Sequence, residues 1–274
     1  MTRALVLGGG GVTGVAWELG VLEGLRRAGV DLTGADVVVG TSAGAAVGAR
    51  VTTSALETAY DEQCTPPTEE VAGHLGPTTL LRLGIMLARP GDQAAKWRKV
   101  GTAAEHAHPV GSLDRSKAIR ARLGDADWPD RDLRITAVDV DAGAFVVFDK
   151  DSGVSLLDAV SASCALPFAW PPVRIDDTTY VDGGIRSPAN ADLVAGAERV
   201  VVLAPQTQAP SREHLLSRQL ARTGAAHTLA ISPDHQASHA IGHNPLDPGK
   251  RPAAARAGLA QGLALAPDVT TLWR

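Results

Sequence analysis

Asp36-Val-Val-Val-Gly-Thr-Ser-Ala-Gly-Ala-Ala-Val-Gly48 constrains the fold more than any other stretch of this 274-residue chain. The β-branched run at 37–39 predicts a buried strand. Gly40-Thr-Ser-Ala-Gly44 follows at once, and Ala45, Ala46, Val47 and Ala49 predict a close-packed helix start. Strand, G-x-S-x-G turn and helix in direct succession form a nucleophile elbow. Ser42 then sits on a sharp turn, its oxygen faces an open cleft, and the helix N-terminus favours developing negative charge. A plain small-residue turn between strand and helix has the same local signature. The serine's role has to be judged from the rest of the chain.

Residues 4–7 predict a first strand. Gly8-Gly-Gly-Gly-Val-Thr-Gly14 comes next, then an amphipathic helix with Val15, Leu19, Leu22 and Leu25 at helical spacing and Gly29 at its end. Such a unit presents backbone N–H groups at a helix N-terminus. Two chemistries use it. Gly9, Gly11 and Gly14 fit the G-x-G-x-x-G of a dinucleotide site. The same N–H groups can also form an oxyanion hole. A dinucleotide site wants an acidic residue at the C-terminal end of the second strand, to hold the ribose. Asp36 stands at the start of that strand, and its end carries Ser42. The C-terminal ends of neighbouring parallel strands face one crevice. The glycine loop and Ser42 are expected to meet there, which is a hydrolase arrangement.

The composition agrees with an enzyme of this type. The length allows one large α/β domain over 1–274. No run of about 18 apolar residues predicts a membrane-spanning helix. Net charge is −4 with both signs interspersed, which gives no footprint for nucleic acid. Cys64 and Cys164 are too few for a disulfide framework and predict reduced thiols. The first seven residues imitate a signal peptide, but the glycines from Gly8 to Gly11 break the apolar region. The expected location is the cytoplasm, with transient contact to a membrane surface allowed.

Residues from about 54 to 112 show no strand pattern, and they read as a mainly helical insertion. It is expected to act as a lid over the substrate or to be a packed helical subdomain. Within it, Trp97 lies in a basic cluster of Lys96, Arg98 and Lys99. A short helix is expected at 113–123, strands at 133–140 and 144–148, and a helix at 156–164. A short strand at 179–181 delivers Asp182-Gly-Gly184, a carboxylate held at a tight loop. A turn-stabilising aspartate has the same local form. A strand at 199–204, a helix at 211–222, a strand at 227–231 and an Ala-rich helix at 248–264 complete the chain. His235, His239 and His243 are spaced four apart, an echo of a zinc motif. Gln236 stands where the general-base glutamate belongs, so solvated or capping histidines are expected.

Three motifs now stand in one order: Gly8-Gly-Gly-Gly-Val-Thr-Gly14, Gly40-Thr-Ser-Ala-Gly44 and Asp182-Gly-Gly184. Together they resemble the patatin-like phospholipase family. Ala165-Leu-Pro-Phe-Ala-Trp-Pro-Pro-Val173 is similar to that family's proline-rich approach to its aspartate. The resemblance covers roughly residues 4–205. It implies a three-layer α/β/α sandwich with a mostly parallel central sheet. It also implies lipid acyl hydrolysis by a Ser–Asp dyad, with no metal or cofactor. Ser42 would be the nucleophile and Asp182 its partner, and the N–H groups of Gly9, Gly10 and Gly11 would form the oxyanion hole. The expected partner is a lipid or other acyl-ester substrate. Two departures stand out. Thr13 occupies the place of the family's usual basic residue, and Arg186-Ser-Pro188 stands where the family often has asparagine. Arg186 is a candidate for restoring the missing charge.

Two other readings fit parts of the chain. One is an α/β-hydrolase with a Ser–Asp–His triad, since several histidines follow Asp182. It would need more strands before the elbow than the one found here. The other is a non-catalytic module that binds a nucleotide or acyl ligand in the same cleft.

Overall fold

The computed structural model describes residues 1–66, 73, 83–87, 90–107, 119–120 and 123–274. Among the described residues eight strands form one sheet: β1 (Arg3–Leu7), β2 (Val37–Thr41), β3 (Asp132–Asp139), β4 (Ala144–Phe148), β5 (Val173–Ile175), β6 (Thr178–Asp182), β7 (Arg199–Leu203) and β8 (His227–Ile231). The hydrogen-bonded path is β5-β6-β3-β2-β1-β7-β8, and β4 also pairs with β3. The β3-β2-β1-β7-β8 part is parallel, while β4, β6 and β5 pair antiparallel.

Among the described residues the helices include α1 (Gly11–Arg27), α2 (Ala43–Thr53), α3 (Leu56–Cys64), α4 (Gln93–Glu105), α5 (Leu156–Ser163), α6 (Leu216–Thr223), α7 (His235–Ile241) and α8 (Arg251–Trp273). Alternate residues of the central strands point to opposite faces. Leu5, Leu7, Val38 and Leu203 join the core under α1, α2, α5 and α8. Val6, Val39, Val200 and Val202 meet Ala191, Val194 and the inner side of α6 on the other face. This is the expected three-layer α/β/α sandwich around a mostly parallel sheet.

Helix α1 departs from the amphipathic reading. Every residue from Thr13 to Leu25 is buried, Glu18 and Glu23 included. The reason is α8, which covers the side that the pattern assigns to water. Gly20 and Gly24 bring the two backbones into contact, and Trp17 Nε1 donates to Gln261 Oε1 at 2.9 Å. Helix α8 also runs past its expected end, through Pro267. A proline inside a helix costs about 3 kcal/mol. Burial of Val269 and Trp273 beyond it offsets that cost, and Trp273 Nε1 donates to the Asp31 carbonyl at 3.1 Å.

The helix expected at 211–222 is split. A 3-10 turn at Arg212–His214 precedes α6, and Leu215 between them has extended ψ. The helix expected at 113–123 lies almost wholly outside the described residues. Within 54–112 the described residues form α3, a helical turn at 83–87 and α4, while 67–72, 74–82, 88–89 and 108–112 lie outside them. Among the described residues no helix is long and apolar enough to cross a membrane.

Candidate active site

Strand register brings the elbow and the Asp-Gly-Gly loop together. Thr136 of β3 pairs with Thr41 of β2 on one side and Val147 of β4 on the other. The next residue, Ala137, pairs with Val146 of β4 and with Asp182 of β6. A strand has only two edges, so β2 and β6 share the edge opposite β4. They run toward each other along it, β2 parallel and β6 antiparallel to β3. Their C-terminal ends, Thr41 and Asp182, meet head-on, and Ser42 is the residue that follows Thr41.

Ser42 has φ 55° and ψ −114°. This is the first central position of a type II′ turn, a conformation dominated by glycine. Strain in a non-glycine residue persists only where its surroundings over-determine it. Here both backbone groups are clamped. The Ser42 N–H donates to Ser163 Oγ at 2.9 Å, and the Cys164 thiol donates to the Ser42 carbonyl at 3.1 Å. The Gly44 N–H donates to the Gly8 carbonyl at 3.0 Å. A Cβ at Gly44 would lie 2.0 Å from the Leu7 carbonyl oxygen, so no other residue lets α2 approach β1 this closely.

The glycine loop lies against the elbow. A Cβ placed on Gly9 would sit 3.5 Å from Ser42 Cβ. Helix α1 starts inside the loop, at Gly11, so Gly10 is its N-cap and Gly11 its first residue. The Gly9 N–H donates to the Pro188 carbonyl at 2.7 Å. The N–H groups of Gly10 and Gly11 precede the helical ladder and have no carbonyl one turn back to bond. Among the described residues neither finds another acceptor. Asp36, the acid that a dinucleotide site would need, accepts the Arg3 N–H at 2.8 Å at the far end of β2.

Asp182 is 1% exposed, and its Oδ1 accepts the Gly184 N–H at 2.7 Å. Asn190, which the sequence reading did not single out, ties this region together. It is fully buried in the left-handed conformation, φ 51°. Its Nδ2 donates to Thr41 Oγ1 at 3.0 Å and to the Ser187 carbonyl at 2.8 Å. Thr41 Oγ1 in turn lies 2.9 Å from Thr136 Oγ1. The only sequence signal for Asn190 is its place shortly after Asp-Gly-Gly. Arg186 does not supply a spare cation. Its guanidinium donates to Asn190 Oδ1 at 2.6 Å and to both oxygens of Asp192 at 3.0 and 2.6 Å. It also stacks 4.3 Å from the Phe145 ring centroid.

Glu18 was also missed. It lies fully buried behind the glycine loop, its Oε1 accepting the Gly8 N–H at 2.9 Å. Its Oε2 has no partner among the described residues. Burial raises the carboxyl well above its ordinary value of 4.5, against the lowering effect of the Gly8 bond. Above that ordinary value the unfolded chain releases the Glu18 proton while the folded chain keeps it. The unfolded state then binds fewer protons, so this group makes stability fall as pH rises toward the folded value. Glu18→Gln keeps the neutral shape and removes the titration. It should melt above wild type at alkaline pH, with the gap closing toward pH 4.5. A variant no more stable than wild type at alkaline pH would show that Glu18 does not carry its proton into the fold.

Of the described histidines, His214 lies within electrostatic reach of Arg186 and Asp192. His106 Nδ1 pairs with the Thr102 carbonyl and His214 Nδ1 with Ser211 Oγ. His235, His239 and His243 are exposed. His227 opens β8 opposite Arg199, at the other end of the strands from Ser42. His74 and His108 lie outside the described residues.

A family model described as patatin-like phospholipase matches residues 5–195. Similar solved structures include VipD from Legionella pneumophila, at 14% identity and a TM-score of 0.49, over 97% of this chain and 67% of that one. They also include the type III effector protein ExoU, at 16% identity and a TM-score of 0.43, over 97% of this chain and 53% of that one. This chain thus spans about two thirds of the first and about half of the second. No curated protein matches it. With the family model covering well over half of the residues, the chain belongs to the patatin-like phospholipase family.

Proposed function

We propose that this chain hydrolyses carboxylic esters of lipids, phospholipid or neutral acyl ester, through a Ser42–Asp182 dyad in a single acyl-hydrolase domain. The observation that supports the reading is the head-on meeting of β2 and β6, with a strained serine following the end of one strand and a buried carboxylate ending the other. In the first step Asp182 takes the Ser42 hydroxyl proton, and Oγ bonds to the ester carbonyl carbon. The carbonyl oxygen becomes an oxyanion, held by the N–H groups of Gly10 and Gly11. Collapse breaks the bond to the alcohol, which leaves with the proton from Asp182. In the second step Asp182 takes a proton from water, and the hydroxide attacks the acyl-enzyme. The fatty acid leaves and Ser42 recovers its proton. No step calls for a metal or cofactor.

The direct test is fatty-acid release from lipid esters by the purified protein, together with labelling by a fluorophosphonate probe and peptide mapping of the adduct. The adduct is expected on Ser42. Labelling of another serine, with ester turnover present, would overturn the assignment.

The oxyanion hole has its own expected result. A Cβ on Gly10 would lie 2.4 Å from Pro205 Cβ, so the loop has to shift in Gly10→Ala. Losing one donor costs on the order of 100- to 1,000-fold in turnover. A Cβ on Gly9 meets nothing closer than 3.5 Å and leaves the bond to Pro188 in place. Gly9→Ala should therefore keep much more of kcat than Gly10→Ala. Wild-type kcat in Gly10→Ala would remove that residue from the hole.

A further inference from the structure

Thr13 and Arg186, the two positions where sequence suggested a headgroup charge, do not provide one: the first is uncharged and the second is paired with Asp192. Another basic surface lies close to Asp182, on α4. One face of this helix is apolar. Trp97 and Val100 are buried against Val138, Val140 and Val181, which fastens α4 beside the strand that ends at Asp182. The other face carries Arg98, Thr102 and His106 at four-residue spacing, with Lys99 alongside, and all four are exposed.

A groove of about 540 Å³ runs between this face and Phe168, a size suited to a small ligand or a headgroup. Phe168 has φ 69°, an outlier for a bulky side chain. Its neighbours hold it there. The Asp182 N–H donates to the Ala165 carbonyl at 3.0 Å, and the N–H groups of Ala169 and Trp170 both donate to Leu166. From Ala165 to Phe168 the chain spans at most about 10 Å, so the Phe168 backbone lies within about that distance of the residue whose carbonyl Asp182 bonds. Arg98 is partly committed, donating to the Ala142 carbonyl at 2.8 Å with Asp92 3.7 Å away. Lys99 has no partner among the described residues.

We propose that this groove binds the phosphate of the substrate's headgroup. Lys99 and Arg98 are its cationic contacts and Phe168 its apolar wall. The inference rests on the proposed ester hydrolysis and deepens it. A phosphate dianion or diester accepts several charge-assisted hydrogen bonds, and two cations with a hydroxyl at Thr102 supply them. The acyl chain would extend toward Ser42 while the headgroup stays on α4.

The test compares wild type with Arg98→Gln/Lys99→Gln on three substrates: p-nitrophenyl butyrate, diacylglycerol in mixed micelles, and phosphatidylglycerol in the same micelles. The expected result is a KM for phosphatidylglycerol raised about 10-fold or more, with both neutral esters unchanged. Equal changes for phosphatidylglycerol and diacylglycerol, or no change for either, would overturn the proposal. Inorganic phosphate added to the wild type separates the possible sources. Competition against phosphatidylglycerol that is lost in the double variant marks recognition of the phosphate itself. Absence of competition, with the KM effect present, marks recognition of the lipid headgroup as a whole. Both outcomes support the groove. If wild type hydrolyses none of the three esters, the hydrolase reading fails, and binding decides the groove. Ser42→Ala should then bind phosphatidylglycerol micelles more tightly than diacylglycerol micelles, and adding the two glutamines should abolish the difference. Equal binding with and without them would refute the site.

Discussion

Ser42→Ala is expected to lose ester hydrolysis by about 10,000-fold or more, the scale seen when a nucleophilic serine is removed from a machinery that acts as a unit. Fluorophosphonate labelling should vanish with it. The fold should not suffer, because alanine keeps the Cβ and both backbone clamps from Ser163 and Cys164 remain. Ser42→Gly adds an internal check. Glycine adopts φ 55° without the Cβ penalty, and a residue held in such a region stores on the order of 1–3 kcal/mol. Part of that gain is cancelled by the greater freedom of glycine in the unfolded chain. The glycine variant should therefore be as inactive as the alanine one and melt at a higher temperature. Turnover near wild type in either variant would dismiss Ser42 as nucleophile. A glycine variant that melts below the alanine one would contradict the strained elbow.

Asp182→Asn should lower kcat by about 100- to 10,000-fold, the range of a positioned general base. An amide keeps the acceptor that Gly184 uses at 2.7 Å, so the loop should hold its shape while proton transfer is lost. Replacing His106, His214, His227, His235, His239 or His243 with glutamine should leave turnover within several-fold of wild type. One histidine variant as inactive as Ser42→Ala, in a folded protein, would replace the dyad with a triad. Wild-type turnover in Asp182→Asn would remove the aspartate from the chemistry altogether.

Family membership and the layered α/β fold were legible in the sequence because their signals are local. A β-branched run entering Gly40-Thr-Ser-Ala-Gly44 can do little else than make a strand and a tight turn. The same holds for the strand and helix flanking Gly8 to Gly14. Steric limits on φ and ψ act between neighbours, so residue types and spacing are enough to read them. The helix boundaries were less legible. Proline marks a stop at Pro267 by the same local rule, and burial of Val269 and Trp273 overrides it.

The working details of the candidate site depend on residues far apart in the chain. Which glycine N–H groups stay open depends on Pro188, whose carbonyl takes the one from Gly9. The meeting of the C-terminal ends of β2 and β6 follows from the register of two strands along one edge of β3. The burial of Glu18 follows from α8 packing over α1. Arg186 looked like an open cation in sequence and is a buttress in the structure, because Asp192, Asn190 and the Phe145 ring converge on it. The sequence by itself determined the elbow, the glycine loop and the order of the motifs, since backbone sterics act locally. Only the tertiary structure decided which N–H groups, carboxylates and cations are left to meet a substrate, since hydrogen bonds and burial are settled between segments that only the fold brings together.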